Sequence, residues 1–298
     1  MSGKKTQVRL QDGAYVPDYE TLRKICWLLY RHTSVTYIDR MRELLAGFAK
    51  GYNAYLAKDD DPGILKEFLA ACYFSLGELN QGIAKLRKAD PTGFKLIRRG
   101  LSFKQTFSRA IDEYNFKPLG FEGYDHPSRG LWIWMERAMA MSLEVGGGLC
   151  GQLSYPRFDV SKYTFPAQIS GYPLAKDVFI HDGEDIPITG IWQPSNLKGG
   201  CPNFLVRGEK ALKAEIPILR IDTAPWEETL GAGWGVKQHE ADTDFVVAEF
   251  PTVWRLIEED ERWKDRREPL GEFEYLEDPD THLPKDLPRA LDRPPKSE

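Results

Sequence analysis

Apolar positions in the first half of the chain recur at helical spacing. From Asp18, Leu22, Ile25, Trp27, Leu28 and Leu29 predict a helix, with Asp18 as its N-cap after Pro17. Ile38, Met41, Leu45, Phe48, Tyr52 and Tyr55 alternate steps of three and four, so all six fall on one stripe of a second helix, capped by Ser34. After the loop composition Asp59-Asp60-Asp61-Pro62-Gly63, a third helix carries Ile64, Leu65, Phe68, Leu69, Cys72, Tyr73 and Leu76. A fourth is expected from about Thr92 to Tyr114, with Phe94, Ile97, Leu101, Phe103, Phe107 and Ile111. The last, Leu131 to Met141, is apolar on nearly every side and reads as the central helix of a bundle, ended by Gly146-Gly147-Gly148.

Beyond the glycines the pattern changes to Pro, Gly and short apolar runs. Tyr163–Phe165, Val178–Ile180, Phe204–Val206, Ile216–Ile221 and Phe245–Val247 predict a small, partly antiparallel sheet. A late helix is expected from near Thr252, with Trp254, Leu256, Ile257 and Trp263, and the Pro- and charge-rich tail from Glu277 is expected to be disordered. The fold class that follows is α+β and predominantly helical. Residues 1–145 form a helical bundle, 146–276 a mixed α/β region packed on it, and 277–298 the tail.

Charge separates the two halves. Residues 1–150 carry 22 Lys and Arg against 17 Asp and Glu, a net +5; the remainder carries 18 against 28, a net -10. Such an acidic field repels nucleic acid and attracts a basic partner, although it also serves simply to keep a surface solvated. The amino terminus has early lysines but no apolar stretch behind them, and no segment has the apolar length to span a bilayer. Cys26, Cys72, Cys150 and Cys201 are widely spaced and form no Cys-x-x-Cys pair, which suits packed, reduced thiols in the cytoplasm.

Catalytic signatures are weak. Gly146, Gly148 and Gly151 match a dinucleotide-type glycine spacing, but a helix precedes them where a strand is required. Gly231 to Gly235 lacks the Lys-Ser or Lys-Thr of a phosphate loop. His181 to Asp185 and His239 to Asp244 gather possible metal ligands without the spacing of a zinc helix or calcium loop. No Gly-x-Ser-x-Gly elbow is present. An acid–base carboxylate pair is neither located nor excluded among so many carboxylates. The expectation is no catalytic residue, no cofactor and no metal.

The most informative stretch is Gly183-Glu184-Asp185-Ile186-Pro187-Ile188-Thr189-Gly190-Ile191-Trp192-Gln193-Pro194. Its prolines and glycines fix the backbone as a rigid presented loop between short strands. With Gly200-Cys201-Pro202-Asn203-Phe204 and the later Pro251, Thr252 and Trp254, it resembles the large immunity proteins of bacterial polymorphic-toxin and type VI secretion systems, in particular immunity families seventy-one and seventy-two. The likeness covers mainly residues 178 to 257. Related secretion-locus proteins often place a cysteine before the proline; here Ile186 precedes Pro187, so any role of that cysteine is absent.

The resemblance implies a cytoplasmic protein that binds and neutralises a cognate secreted toxin domain without catalysis and without contacting nucleic acid or membrane. It does not itself name contact residues. Those come from residue type: Trp192, Trp226 and Trp234 as aromatic anchors, and Glu184, Asp185, Glu227, Glu228, Asp242 and Asp244 as charges for a basic toxin surface. Each tryptophan can equally be core and each carboxylate simply solvated. The alternatives are an enzyme acting on a small molecule or modified protein at a cleft between the halves, and an adaptor of the secretion machinery.

Overall fold

The computed structural model describes residues 17–56, 64–105, 129–154, 160–166, 169–219, 245–259 and 262–263. It shows an α+β protein with helices concentrated in the first half and small antiparallel sheets in the second. The chain divides into two compact units: Arg31–Leu149 with Arg262–Glu298, and Met1–Tyr30 with Cys150–Glu261. Helix α1 (Tyr19–His32) thus belongs, as far as Tyr30, with the sheet rather than with the helices that follow it, where the sequence reading had placed all of residues 1–145 together.

In the helical unit, α2 spans Val35–Leu56, α3 Ile64–Leu86, α4 Gly93–Gly100 and α5 Arg129–Leu149. The Ser34 cap is present: the Tyr37 N–H donates to Ser34 Oγ at 3.1 Å. Ile38, Met41, Leu45, Phe48 and Tyr52 are buried along one stripe of α2, as their spacing requires. Helix α3 runs ten residues past Leu76 because Leu79, Ile83 and Leu86 continue its buried stripe; Tyr73 and Phe74 lie on the exposed side.

Three helical expectations need correction. The single helix from Thr92 to Tyr114 is interrupted: α4 stops at Gly100, Leu101 and Ser102 form a turn, and helix resumes at Phe103–Gln105, beyond which the segment lies outside the described residues. Leu101 and Phe103 are both buried, and residues two apart point to opposite sides of a helix, so a turn lets both reach the core. Gly146, Gly147 and Gly148 do not end α5, which continues to Leu149. A Cβ at Gly148 would lie 3.3 Å from Thr33 Cγ2 and 3.4 Å from His32 Cβ, so the small residue admits the neighbouring chain. The break comes at Gly151, whose φ of 70° suits glycine.

Nor is α5 central. It packs mainly on α2, α2 packs also on α3, and α3 on α4, so among the described helices α2 and α3 are the inner ones. Leu143 of α5 is 61% exposed. The α2–α5 contact is close because the Trp134 ring lies directly over Gly47.

In the sheet unit the strands are β1 (Leu174–His181), β2 (Gly190–Pro194), β3 (Asn203–Leu205), β4 (Ala214–Leu219), β5 (Phe245–Phe250) and β6 (Val253–Ile257). One sheet has the order β1-β6-β2-β3, and β4 pairs with β5; all pairings are antiparallel. The segment expected to be helical from near Thr252 is therefore strand β6, followed by a short helical turn at Arg262–Trp263. Trp254 and Ile257 are buried between strands on either side, and that tertiary pairing overrides the helix-like spacing of the segment. Tyr163–Phe165 is not a strand; it follows the 3-10 turn Val160–Lys162 and packs on α1, Phe165 standing edge-on to Trp27 at 5.4 Å.

Helix α1 begins as expected, the Thr21 N–H donating to Asp18 Oδ1 at 2.7 Å. That bond holds the Asp18 carboxyl below its ordinary pKa. Further along α1, Arg23 Nε donates to the Ser170 carbonyl at 3.0 Å and Tyr30 stacks obliquely on Tyr172 at 5.6 Å. No helix among the described residues is long and apolar enough to cross a membrane.

Candidate functional site

The Gly183–Trp192 segment leaves β1 through a tight turn. Asp182 N–H donates to the Thr252 carbonyl at 3.0 Å, and the Asp182 carboxylate accepts the Thr252 N–H at 2.7 Å. Gly183, with φ 84°, donates to the Ala211 carbonyl at 2.7 Å. The chain then runs beside residues 207–211: Ala211 N–H reaches the Glu184 carbonyl, Ile186 N–H the Glu209 carbonyl and Gly208 N–H the Ile186 carbonyl, each at 2.9 Å. The presented loop is thus a second short ladder, anchored on both sides.

Burial within it alternates by role. Ile186 and Trp192 are buried in one apolar cluster with Ile180, Leu205, Ala211, Ala214 and Trp254. The Trp192 indole N–H donates to the Ile188 carbonyl at 3.2 Å, and that of Trp254 to the Leu212 carbonyl at 2.8 Å. Both large rings are thereby buried without stranding a donor. Glu184, Asp185, Pro187 and Ile188 are exposed. The Glu184 carboxylate accepts the His181 N–H at 2.8 Å, and Asp185 forms an exposed ion pair with Lys210 at 2.9 Å.

The other two fragments join the same framework. Asn203, fully buried and paired with Trp192 across β2–β3, accepts the Leu153 N–H at Oδ1 and donates to the carbonyls of Leu153 at 3.2 Å and Cys201 at 3.0 Å. Thr252 Oγ1 accepts the Ala214 N–H at 2.8 Å and donates to the Phe250 carbonyl at 2.6 Å. Segments around residues 183–192, 201–203 and 251–254 therefore converge on one sheet. Spacing alone concealed this, because Thr252 looked like a helix start.

Of the sequence candidates, Glu184 and Asp185 stand together at the exposed turn, whereas Trp192 is 0% exposed and serves the core. Trp226, Glu227, Glu228, Trp234, Asp242 and Asp244 lie outside the described residues, as do the glycines 231–235 and the segment from His239. Among the described residues, no group of three or more His, Cys, Asp or Glu side chains could hold a metal ion. Cys26, Cys72 and Cys201 are buried thiols, burial pushing Cys72 up to about 12 and Cys26 higher. Cys150, expected to be packed, is exposed beyond the end of α5. The β4–β5 register sets Glu215 opposite Glu249, a carboxylate pair that the sequence could not locate.

No protein-family model matches the chain, and no curated protein or solved structure matches it. The likeness to the immunity families rests on the residues quoted for it.

Proposed function

We propose that the protein is an immunity protein that binds a cognate secreted toxin domain in the cytoplasm and neutralises it by direct association. The observation that carries this reading is the convergence of the three resemblance fragments on one framework, which holds the acidic pair Glu184 and Asp185 outward on a doubly anchored turn. A rigid turn loses little conformational freedom on binding, and exposed carboxylates steer a basic partner. The inhibitory contact buries on the order of 1,600 Å² in total, with a few residues carrying most of the affinity.

The test is recovery of the tagged protein from its native cells while the toxin-secretion locus is expressed, with bound proteins identified by mass spectrometry. A locus-encoded toxin domain in equal proportion supports the reading; its absence from the recovered material overturns it. A second reading, an enzyme using paired carboxylates, is favoured by the Glu215–Glu249 juxtaposition. It predicts that no toxin domain is recovered and that Glu249→Gln abolishes turnover of a small-molecule substrate found by metabolite screening.

A further inference from the structure

Strand β1 is one edge of the four-stranded sheet, bonded on one side to β6. The opposite edge, β3, is three residues long and buried, whereas β1 has eight residues with one, Ile180, buried. Asp182 donates to the Thr252 carbonyl on β6's near side, while the Val253 carbonyl turns the other way and accepts from Ser195. Antiparallel ladders alternate, so with Ile180 opposite Trp254 and Phe179 opposite Arg255, the backbone groups of Phe179 and His181 point away from β6 to the free edge. The His181 N–H is taken by Glu184. The His181 carbonyl accepts the Glu184 N–H at 3.1 Å, so the turn closes that end of the edge, and the N–H and carbonyl of Phe179 are the outward groups with no backbone partner among the described residues.

The side chains at this edge are also open. Phe179 is 59% exposed, with His181 edge-on beside it at 6.4 Å, and Leu174 is 37% exposed. Edges are ordinarily blunted because unpaired strand groups recruit other chains, and an exposed phenylalanine at such an edge does the reverse. From Leu174 to Asp185 the sequence carries four carboxylates, Asp177, Asp182, Glu184 and Asp185, against the single Lys176. Asp185 is paired with Lys210 and Asp182 holds Thr252, and the exposed Asp177 and Glu184 that remain favour a cationic strand over an acidic one.

We propose that the free edge of β1 receives an extended, basic segment of the toxin, its main chain pairing with the N–H and carbonyl of Phe179, an apolar side chain covering the Phe179 ring, and its cations meeting Asp177 and Glu184. This inference rests on the immunity reading and names the surface and partner chemistry for it. Main-chain pairing supplies affinity, and the side chains flanking it supply choice of partner.

The probe is the purified toxin domain recovered from the native cells, titrated against the full-length protein. Phe179→Pro removes the outward N–H while sparing the bonds to β6, a substitution that edge strands tolerate. It should weaken binding about tenfold or more, since the partner carbonyl loses its donor. Phe179→Ala keeps the N–H and serves as the variant that does not depend on proline being accommodated; it should also weaken binding, by roughly fivefold or more, through loss of the covered ring. Asp177→Lys should slow association by roughly threefold at low salt and flatten its salt dependence. Amide exchange at Phe179 should slow in the complex. Recovery of no toxin domain overturns both readings. Recovery with Phe179→Ala and Asp177→Lys binding like the parent, and no added protection at Phe179, overturns the strand-edge inference and leaves the immunity reading standing.

Discussion

In the helical unit, buried residues follow each other at steps of three and four, and surface ion pairs such as Arg42–Asp39, three residues apart, decorate the outside. In the sheet unit, side chains reach backbone groups far along the chain: Thr252 to Ala214 across 38 residues, Asn203 to Leu153 across 50, Asp182 to Thr252 across 70 and Arg255 to Ala175 across 80. The helical unit is built on apolar stripes, with fewer long polar reaches, such as Arg98 to the Leu149 carbonyl across 51 residues. The other depends on particular polar atoms, because an unpaired buried donor or acceptor costs more than the bond contributes. The polar framework is also what holds the acidic turn in place.

The largest expected effect is on the sheet core. Trp254 is fully buried, and Trp254→Ala removes its ring and strands the Leu212 carbonyl. A loss of about 3–5 kcal/mol is expected from urea unfolding. Asn203→Ala leaves the Leu153 N–H and two carbonyls without their partner and should cost about 2–3 kcal/mol. Asp39→Ala in the helical unit removes part-exposed ion pairs to Arg42 and Arg87 and should cost about 1 kcal/mol. Equal losses for Asn203→Ala and Asp39→Ala would erase the distinction between the units.

Acid sharpens the comparison from the other side. His32 in the helical unit is fully buried, and loss of hydration, helped by the Arg31 charge, lowers its pKa from 6.5 to about 3. The unfolded chain therefore takes up a proton below about pH 6.5 that the folded chain refuses until near pH 3. Stability contributed by neutral His32 is full above pH 6.5 and falls between those limits by up to about 1.4 kcal/mol per pH unit. Unfolding free energies at pH 7 and pH 5 should differ by about 2 kcal/mol, and His32→Gln should shrink that difference.

The helices were legible because helical order is local. Asp18 and Ser34 sit where a cap must, and the stripe of α2 is written in its spacing. The α+β class followed from the change of texture after the glycines. Strand β6 was not legible, since Trp254 and Ile257 read equally as a helical face until β1 and β2 flank them. Trp192 could be named from residue type but not placed, because only the register of β2 against β3 and β6 turns it inward. Phe179 gave no signal: an aromatic in a short apolar run reads as core, and its exposure depends on which strand ends the sheet.

Two glycines in the helical unit should give effects of comparable small size, and their signs should differ. Gly77 lies within α3 with nothing within 4 Å of an added Cβ, so Gly77→Ala relieves only the poor helix propensity of glycine and should stabilise by about 0.8–1 kcal/mol. At Gly93, the first residue of α4, an added Cβ would lie 2.5 Å from the Gly82 carbonyl oxygen and 2.8 Å from Leu86 Cγ. The obstacle includes main chain of α3, which moves only if the α3–α4 contact opens. Overpacking of about 1–3 kcal/mol against a propensity gain of about 1 should leave Gly93→Ala destabilised by about 1 kcal/mol. Thermal unfolding of the two variants should bracket the parent. If both rise, the α3–α4 contact is loose enough to relax, and the helical unit is more forgiving of backbone crowding than its close glycine contacts imply.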